Sequence, residues 1–157
     1  MQIIPGVGLG SIKFGFTEEG IINEIGKPDR IEDQQYIEGS EEWNRDLWYF
    51  QRNLTFTLDS EDDFRLGIIS ITGSGYPLFG KELFGSPLRL IKSTLTKHTN
   101  EIPKYENFTH AESELHECLA HEGTGLRFWF ESGLLSEIQC GYLFEEDNET
   151  VIWPKKS

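Results

Sequence analysis

Apolar residues Ile21, Ile22 and Ile25 recur at helical spacing inside the segment "FGFTEEGIINEIGKPD". Thr17 stands where an N-cap belongs, and Glu18 and Glu19 fill the first turn, where carboxylates favour the helix dipole. Gly26 reads as the residue just past the end, and Pro28 blocks continuation. This pattern predicts a short helix from Glu18 to Ile25.

After that point the period changes from helical to alternating. "RIEDQQYI" is a weak strand candidate, and "RDLWYFQ" and "LTFTLD" are stronger, with Arg52 and Asn53 between them as turn residues. Leu54, Phe56 and Leu58 alternate with Thr55 and Thr57, which predicts one buried face and one wet face. "DSEDD" is a polar turn and "FRLGIISITG" another β-branched strand.

A second helix start follows in "LFGSPLRLIKSTLTKH". Ser86 is the N-cap candidate, Pro87 the first helical residue, and Leu88, Ile91 and Leu95 the apolar stripe. "ESELHECLAH" and "GLRFWFESGLLSEIQCGYLF" come next, the latter a hairpin turning at Glu131, Ser132 and Gly133.

The two halves resemble each other. "FGFTEEGIINEIG" corresponds to "FGSPLRLIKSTL", and "NLTFTLDSEDDFRLGIISITG" to "GLRFWFESGLLSEIQCG". Leu54 and Phe56 then match Leu126 and Phe128, while Gly67 and Ser70 match Gly133 and Ser136. The expected architecture is α+β. It has two tandem repeats, residues 1–75 and 76–157, each a short helical segment plus an antiparallel meander of about four strands, joined as one unit.

The stretch from Gly10 to Asp29 resembles the start of the β-lactamase-inhibitor-like repeat, which also occurs in small outer-membrane lipoproteins of the SmpA/OmlA type. The shared motif is an extended lead-in, Gly, one apolar residue, Thr, an acidic turn, an apolar helix and Gly-x-Pro. In secreted inhibitors of that family, two such repeats form a concave sheet that grips an enzyme. The chain as a whole also resembles stand-alone bacterial proteins that begin "IIPGVGLG" and close near "IWP", here Ile152, Trp153 and Pro154. That resemblance implies an immunity protein. The chain lacks the lipidation cysteine of the lipoproteins and the disulfide pattern of the secreted inhibitor, so neither a periplasmic role nor β-lactamase as target carries over.

Charge narrows the function classes. Lys and Arg total 14 against 27 Asp and Glu, a formal net charge of −13. Such a surface repels a phosphate backbone, which excludes a general nucleic-acid binder. It favours a basic protein partner by electrostatic steering, with solubility alone as the competing explanation. Two cysteines, Cys118 and Cys140, make no disulfide scaffold. "MQIIPGVGLG" has no basic n-region or long apolar run, so no signal peptide, no membrane contact and a cytoplasmic location are expected.

Sites of chemistry are sparse. Gly6, Gly8 and Gly10 are spaced two apart and lead into Ser11 to Phe14, which reads extended, so they match neither a dinucleotide fingerprint nor a P-loop. Counted from Asp59 as a calcium loop, the sixth and twelfth positions hold Phe64 and Ser70 instead of Gly and Glu. His110, His116, Cys118 and His121 are zinc-type ligands within a dozen residues. On a strand, however, His116 and Cys118 share one face and His121 takes the other. No metal, cofactor or catalytic residue is assigned.

What remains is a surface. Leu126, Phe128 and Phe130 are expected to face the core, leaving Arg127, Trp129 and Glu131 in water with Leu135, Glu137 and Gln139 from the next strand. Trp129 then either anchors a partner or lies under a loop or the "VIWP" tail. "EGSEEWNRDLWYF" suits either a basic protein or a packed edge hairpin. The functional expectation is a protein-binding inhibitor, an immunity protein that neutralises a basic toxin or enzyme domain. Its contact candidates are Trp43, Trp48, Trp129, Glu38, Glu41, Glu42, Asp46, Glu131 and Glu137. The alternatives are a small-ligand binder or enzyme with a pocket between the repeats, and a structural assembly module.

Overall fold

The glycine-rich opening folds into a small three-stranded sheet of β1 (Ile3–Ile4), β2 (Gly8–Leu9) and β3 (Ile12–Lys13), paired in that order. This computed structural model describes residues 1–35, 37–108 and 116–155. A side chain at Gly8 would put its Cβ 2.0 Å from the carbonyl oxygen of Ile12, so only glycine allows the strands to approach this closely. Ile3, Leu9 and Ile12 are buried, which makes the sheet a lid on the core and not a loose lead-in.

Helix α1 (Glu18–Ile25) occupies the predicted span. The Gly20 amide donates to Thr17 Oγ1 at 3.2 Å, and Gly26, at φ 91°, donates its N–H to the Ile22 carbonyl at 2.8 Å. After it come β4 (Arg30–Gln34), β5 (Asn44–Tyr49), β6 (Leu54–Asp59) and β7 (Arg65–Ile71). Helix α2 (Leu88–His98) follows, then β8 (Lys104–Asn107), β9 (His116–His121), β10 (Leu126–Glu131) and β11 (Leu134–Gly141). A last short pair is β12 (Leu143–Phe144) with β13 (Val151–Ile152).

The fold is α+β, with two helices among the described residues and antiparallel sheets. Its main sheet has eight strands in the order β4-β5-β6-β7-β11-β10-β9-β8. Three of its hairpins close in the same way, by a single 3₁₀ turn ending on a left-handed residue. Those residues are Asn53 at φ 54°, Asp63 at φ 56° and Gly125 at φ 68°. The β10–β11 hairpin instead closes on Ser132 and Gly133, at φ 51° and 81°, the pair of positive values a type I′ turn requires.

One face of the sheet carries the core. Leu54, Phe56, Leu58, Ile69, Phe128, Phe130 and Leu119 pack with Ile21 of α1, Ile91 and Leu95 of α2 and the buried residues of the small sheet. The helices therefore lie on this face. The other face carries no helix among the described residues.

Several expectations are corrected. Helix α2 begins one residue later than expected: Pro87, extended at φ −72° and ψ 156°, is the cap residue, and no side chain caps the helix. Leu135 faces the core, 1% exposed, because a bulge between Trp129 and Phe130 inserts Ser136 and moves Leu135 opposite Phe130. Gly67 lies inside β7 while Gly133 is a turn residue, so those two glycines are not equivalent. Strand β8, with the polar sequence KYEN, carries no apolar alternation and gave no signal.

Candidate functional site

The pairing register fixes what the uncovered face displays. One row across the sheet runs Arg30, Trp48, Thr55, Ser70, Gln139, Arg127, Ala120 and Lys104. Asp46, Thr57 and Ile68 lie beside it on one flank, and Glu137, Trp129, Cys118 and Glu106 on the other. Trp48 on β5 and Trp129 on β10 are four strand spacings apart, about 19 Å. Small polar side chains separate them, namely Thr55, Thr57, Ser70 and Gln139.

The structure divides the expected contact residues into two groups. Trp48, Asp46, Trp129, Glu131 and Glu137 share the uncovered face. Trp43, Glu38, Glu41 and Glu42 lie in the stretch before β5, and the Trp43 amide donates to Ser60 Oγ of the β6–β7 turn at 2.8 Å. Trp43 and Glu42 thus belong to an acidic corner with Glu61, apart from the sheet face. Glu42 and Glu61 share a hydrogen bond that holds the Glu61 pKa above its ordinary value, helped by their mutual repulsion.

Trp129 is half-buried, and the tail does not cover it. Phe108 and His116 pack on its indole, with centroids 5.5 and 5.1 Å away. Its Nε1 donates to Gln139 Oε1 at 3.1 Å. Trp153 of the tail packs instead on Tyr142, at 5.2 Å, and over Gly15. Gln139 lies on the face of Trp129 as expected, whereas Phe108 was not legible as a partner, because only the tertiary structure brings it there. Trp48 is also half-buried and lies 6.0 Å from Phe50. Its Nε1 is buried with no hydrogen-bond partner, an arrangement that costs about 1–3 kcal/mol.

No family model, no curated protein and no solved structure matches this chain.

The carboxylates of the open face are held in partly desolvated positions. Burial raises the Asp46 pKa, against the lowering effect of the bond from Thr57 Oγ1 at 2.6 Å. Burial likewise raises Glu137, while Gln139 and His116 pull it down and Glu131 pushes it up. Both groups are partly desolvated, so a cation brought by a partner would interact with them more strongly than with a fully exposed carboxylate.

The candidate metal ligands do not converge. His116 and Cys118 lie on the uncovered face and His121 on the core face, as the alternation predicts. His121 is 2% exposed and already occupied. Its Nδ1 is 2.8 Å from Thr124 Oγ1, and its Nε2 is 3.1 Å from the Glu101 carbonyl and 3.2 Å from Thr99 Oγ1. This network ties the end of α2 to the β9–β10 turn. His110 lies outside the described residues. Among the described residues no helix is long and apolar enough to cross a membrane.

A cavity of about 590 Å³ opens at the end of the β9–β10 hairpin, against β12 and β13. Every residue lining it falls between Ala120 and Ile152, so it lies within the second half of the chain and not between the halves.

Proposed function

We propose that this protein is a cytoplasmic protein-binding inhibitor of the immunity type, which neutralises a basic toxin or enzyme domain with the uncovered face of its sheet. The observation that carries the reading is the pairing of two half-buried tryptophans, Trp48 and Trp129, with two desolvated carboxylates, Asp46 and Glu137, on one uncovered face. Aromatic anchors supply most of the energy of such interfaces, and buried carboxylates select for Lys or Arg opposite them. The unpartnered N–H of Trp48 adds a donor that a partner carbonyl would satisfy after a small side-chain movement.

The element order supports reading the chain as a tandem repeat. Helix α1 precedes the meander β4 to β7, α2 precedes β8 to β11, and the last strands of the two series pair at the sheet centre. Leu54 with Phe56 and Leu126 with Phe128 open strands that each follow a 3₁₀ turn, and all four are buried. On this reading the protein belongs with the β-lactamase-inhibitor-like repeats, whose paired sheets present one binding face. The acidic corner of Glu38, Glu41, Glu42 and Trp43, together with Glu131 at the far end, would steer the partner and contact its rim.

The test is co-expression with the product of a toxin-like neighbouring gene. Rescue of growth and co-purification are expected, and both should fail for the double variant W48A/W129A if it remains folded. A toxic neighbour that the wild-type chain neither neutralises nor binds overturns the reading.

A further inference from the structure

We propose that the cavity between the β9–β10 turn and the β12–β13 pair is a binding site for a small monocarboxylate with an aliphatic or aromatic body. The cavity borders the uncovered face, to whose central row Arg127 belongs, but it takes a different ligand and its test uses a different readout. Leu126, Leu143, Phe144 and Ile152 supply an apolar wall, and the volume of about 590 Å³ is that of an ordinary small-ligand site. Phe144 and Ile152 are 48% and 40% exposed, an apolar surface that a ligand body would cover.

The polar end is set by Arg127. Its cross-strand neighbours are Gln139 and Ala120, both neutral, and its guanidinium has no hydrogen bond or ion pair among the described residues. By contrast, Arg45 is held by Asp33 and Glu18, and Arg30 by Glu32. Lys104 lies beyond Ala120 in the same row, about 10 Å from Arg127 by strand spacing, but it is paired with Glu106 at 3.9 Å, so Arg127 is the cation left to meet a ligand. A guanidinium fork matches a carboxylate with two parallel hydrogen bonds.

Charge limits the ligand to a single negative charge. Glu122 lines the same cavity, and the Tyr142 hydroxyl in its wall donates to Asp62 at 3.1 Å. Two carboxylates close by, on a chain of net charge −13, oppose a phosphate dianion or a dicarboxylate. Burial, and then the charge and hydrogen bond of Asp62, keep Tyr142 neutral. The cavity is also built into the backbone: a Cβ on Gly125 would lie 2.4 Å from the Gly141 carbonyl and 3.3 Å from Leu143 Cδ2. Glycine there lets the hairpin end sit directly against the end of β11.

The experiment is an amide NMR titration of the full chain with octanoate, 1-octanol and octylamine. Octanoate is expected to saturate, with shifts concentrated at Gly123, Gly125, Leu143 and Phe144, and to bind about tenfold more tightly than octanol. The R127Q variant should lose that tenfold advantage while binding octanol unchanged, and I152W, which fills the cavity, should bind neither. Unsaturable or scattered shifts, full octanoate affinity in R127Q, or octylamine binding as well as octanoate would each overturn the proposal. Failure of growth rescue in the co-expression test leaves these outcomes untouched.

Discussion

The indole N–H of Trp129 reaches across the β10–β11 pairing to the side-chain oxygen of Gln139, at 3.1 Å. Phe108 and His116 pack against the ring, tilted to it by 38° and 40°. An anchor held this way before binding loses little side-chain entropy when a partner arrives. W129A is expected to lower folding stability by about 1–2 kcal/mol, because the ring is only half-buried. It should weaken the partner complex by at least about 2 kcal/mol. Q139A should cost less in both. Urea denaturation and titration calorimetry on the same variants separate the two effects.

Asp46 and Asp33 should respond to pH with opposite signs. Burial lifts the Asp46 pKa in the folded state, so the folded protein holds this proton more tightly than the unfolded chain. The resulting stability is fully present below about pH 3.9, the unfolded value, and is lost as pH rises through the folded value. D46N removes that loss and keeps an acceptor for Thr57. The variant should be more stable than wild type at pH 7 and equal to it near pH 3. Asp33 bonds Arg45 at 2.7 Å and has a lowered pKa. Its contribution is present above about pH 3.9 and disappears as pH falls through the folded value, so D33N should weaken the protein at pH 7 and progressively less on acidification below the unfolded value. Denaturation midpoints across this range check both.

Tyr142 should ionise well above an ordinary tyrosine. Burial first, and then the charge and hydrogen bond of Asp62, push its pKa up to about 12. Between pH 10 and 12 the unfolded chain has lost this proton and the folded chain has not, so stability falls as pH rises through that window. D62N should bring the Tyr142 ionisation down towards 10. Ultraviolet titration of wild type, D62N and Y142F measures it, and an unchanged curve in D62N would contradict the Asp62 contribution.

Phe128 and Gly125 test the core and the hairpin behind it. Phe128 is fully buried, and F128A should cost about 3–5 kcal/mol through lost contacts and a cavity. G125A adds a small side chain at φ 68°, where its Cβ meets the Gly141 carbonyl at 2.4 Å. It should cost at least about 1–2 kcal/mol, since a left-handed alanine is strained even without the clash. Thermal unfolding of the two variants checks these magnitudes.

Much of the fold was legible because much of it is local. Thr17, the first-turn acids, Gly26 and Pro28 act within a few residues of α1, and the helix lies where they place it. The alternation of Leu54 to Asp59 and of Leu126 to Glu131 follows from the two-residue repeat of a strand, and the burial pattern agrees with it. The candidate site was less legible. Trp43 and Trp48 are five residues apart in one acidic, aromatic stretch, yet the structure assigns them to different surfaces. Only the partner strand determines which side of the sheet a residue near a strand end joins.

The sequence by itself determined the α+β class, the first helix with both its ends, the alternating strands and the turn residues of their hairpins. Each of these depends on the backbone preferences of neighbouring residues or on periodicity along one segment. Tertiary structure alone decided the order of the eight strands, the bulge that turns Leu135 inward, the polar edge strand β8 and the packing of Phe108 and His116 on Trp129. It also decided that Arg127 pairs with no carboxylate among the described residues and that a cavity opens beside it. These features are contacts between residues distant in sequence. They follow from the pairing register and from which surfaces remain uncovered once the core is buried, and neither is encoded within any one segment.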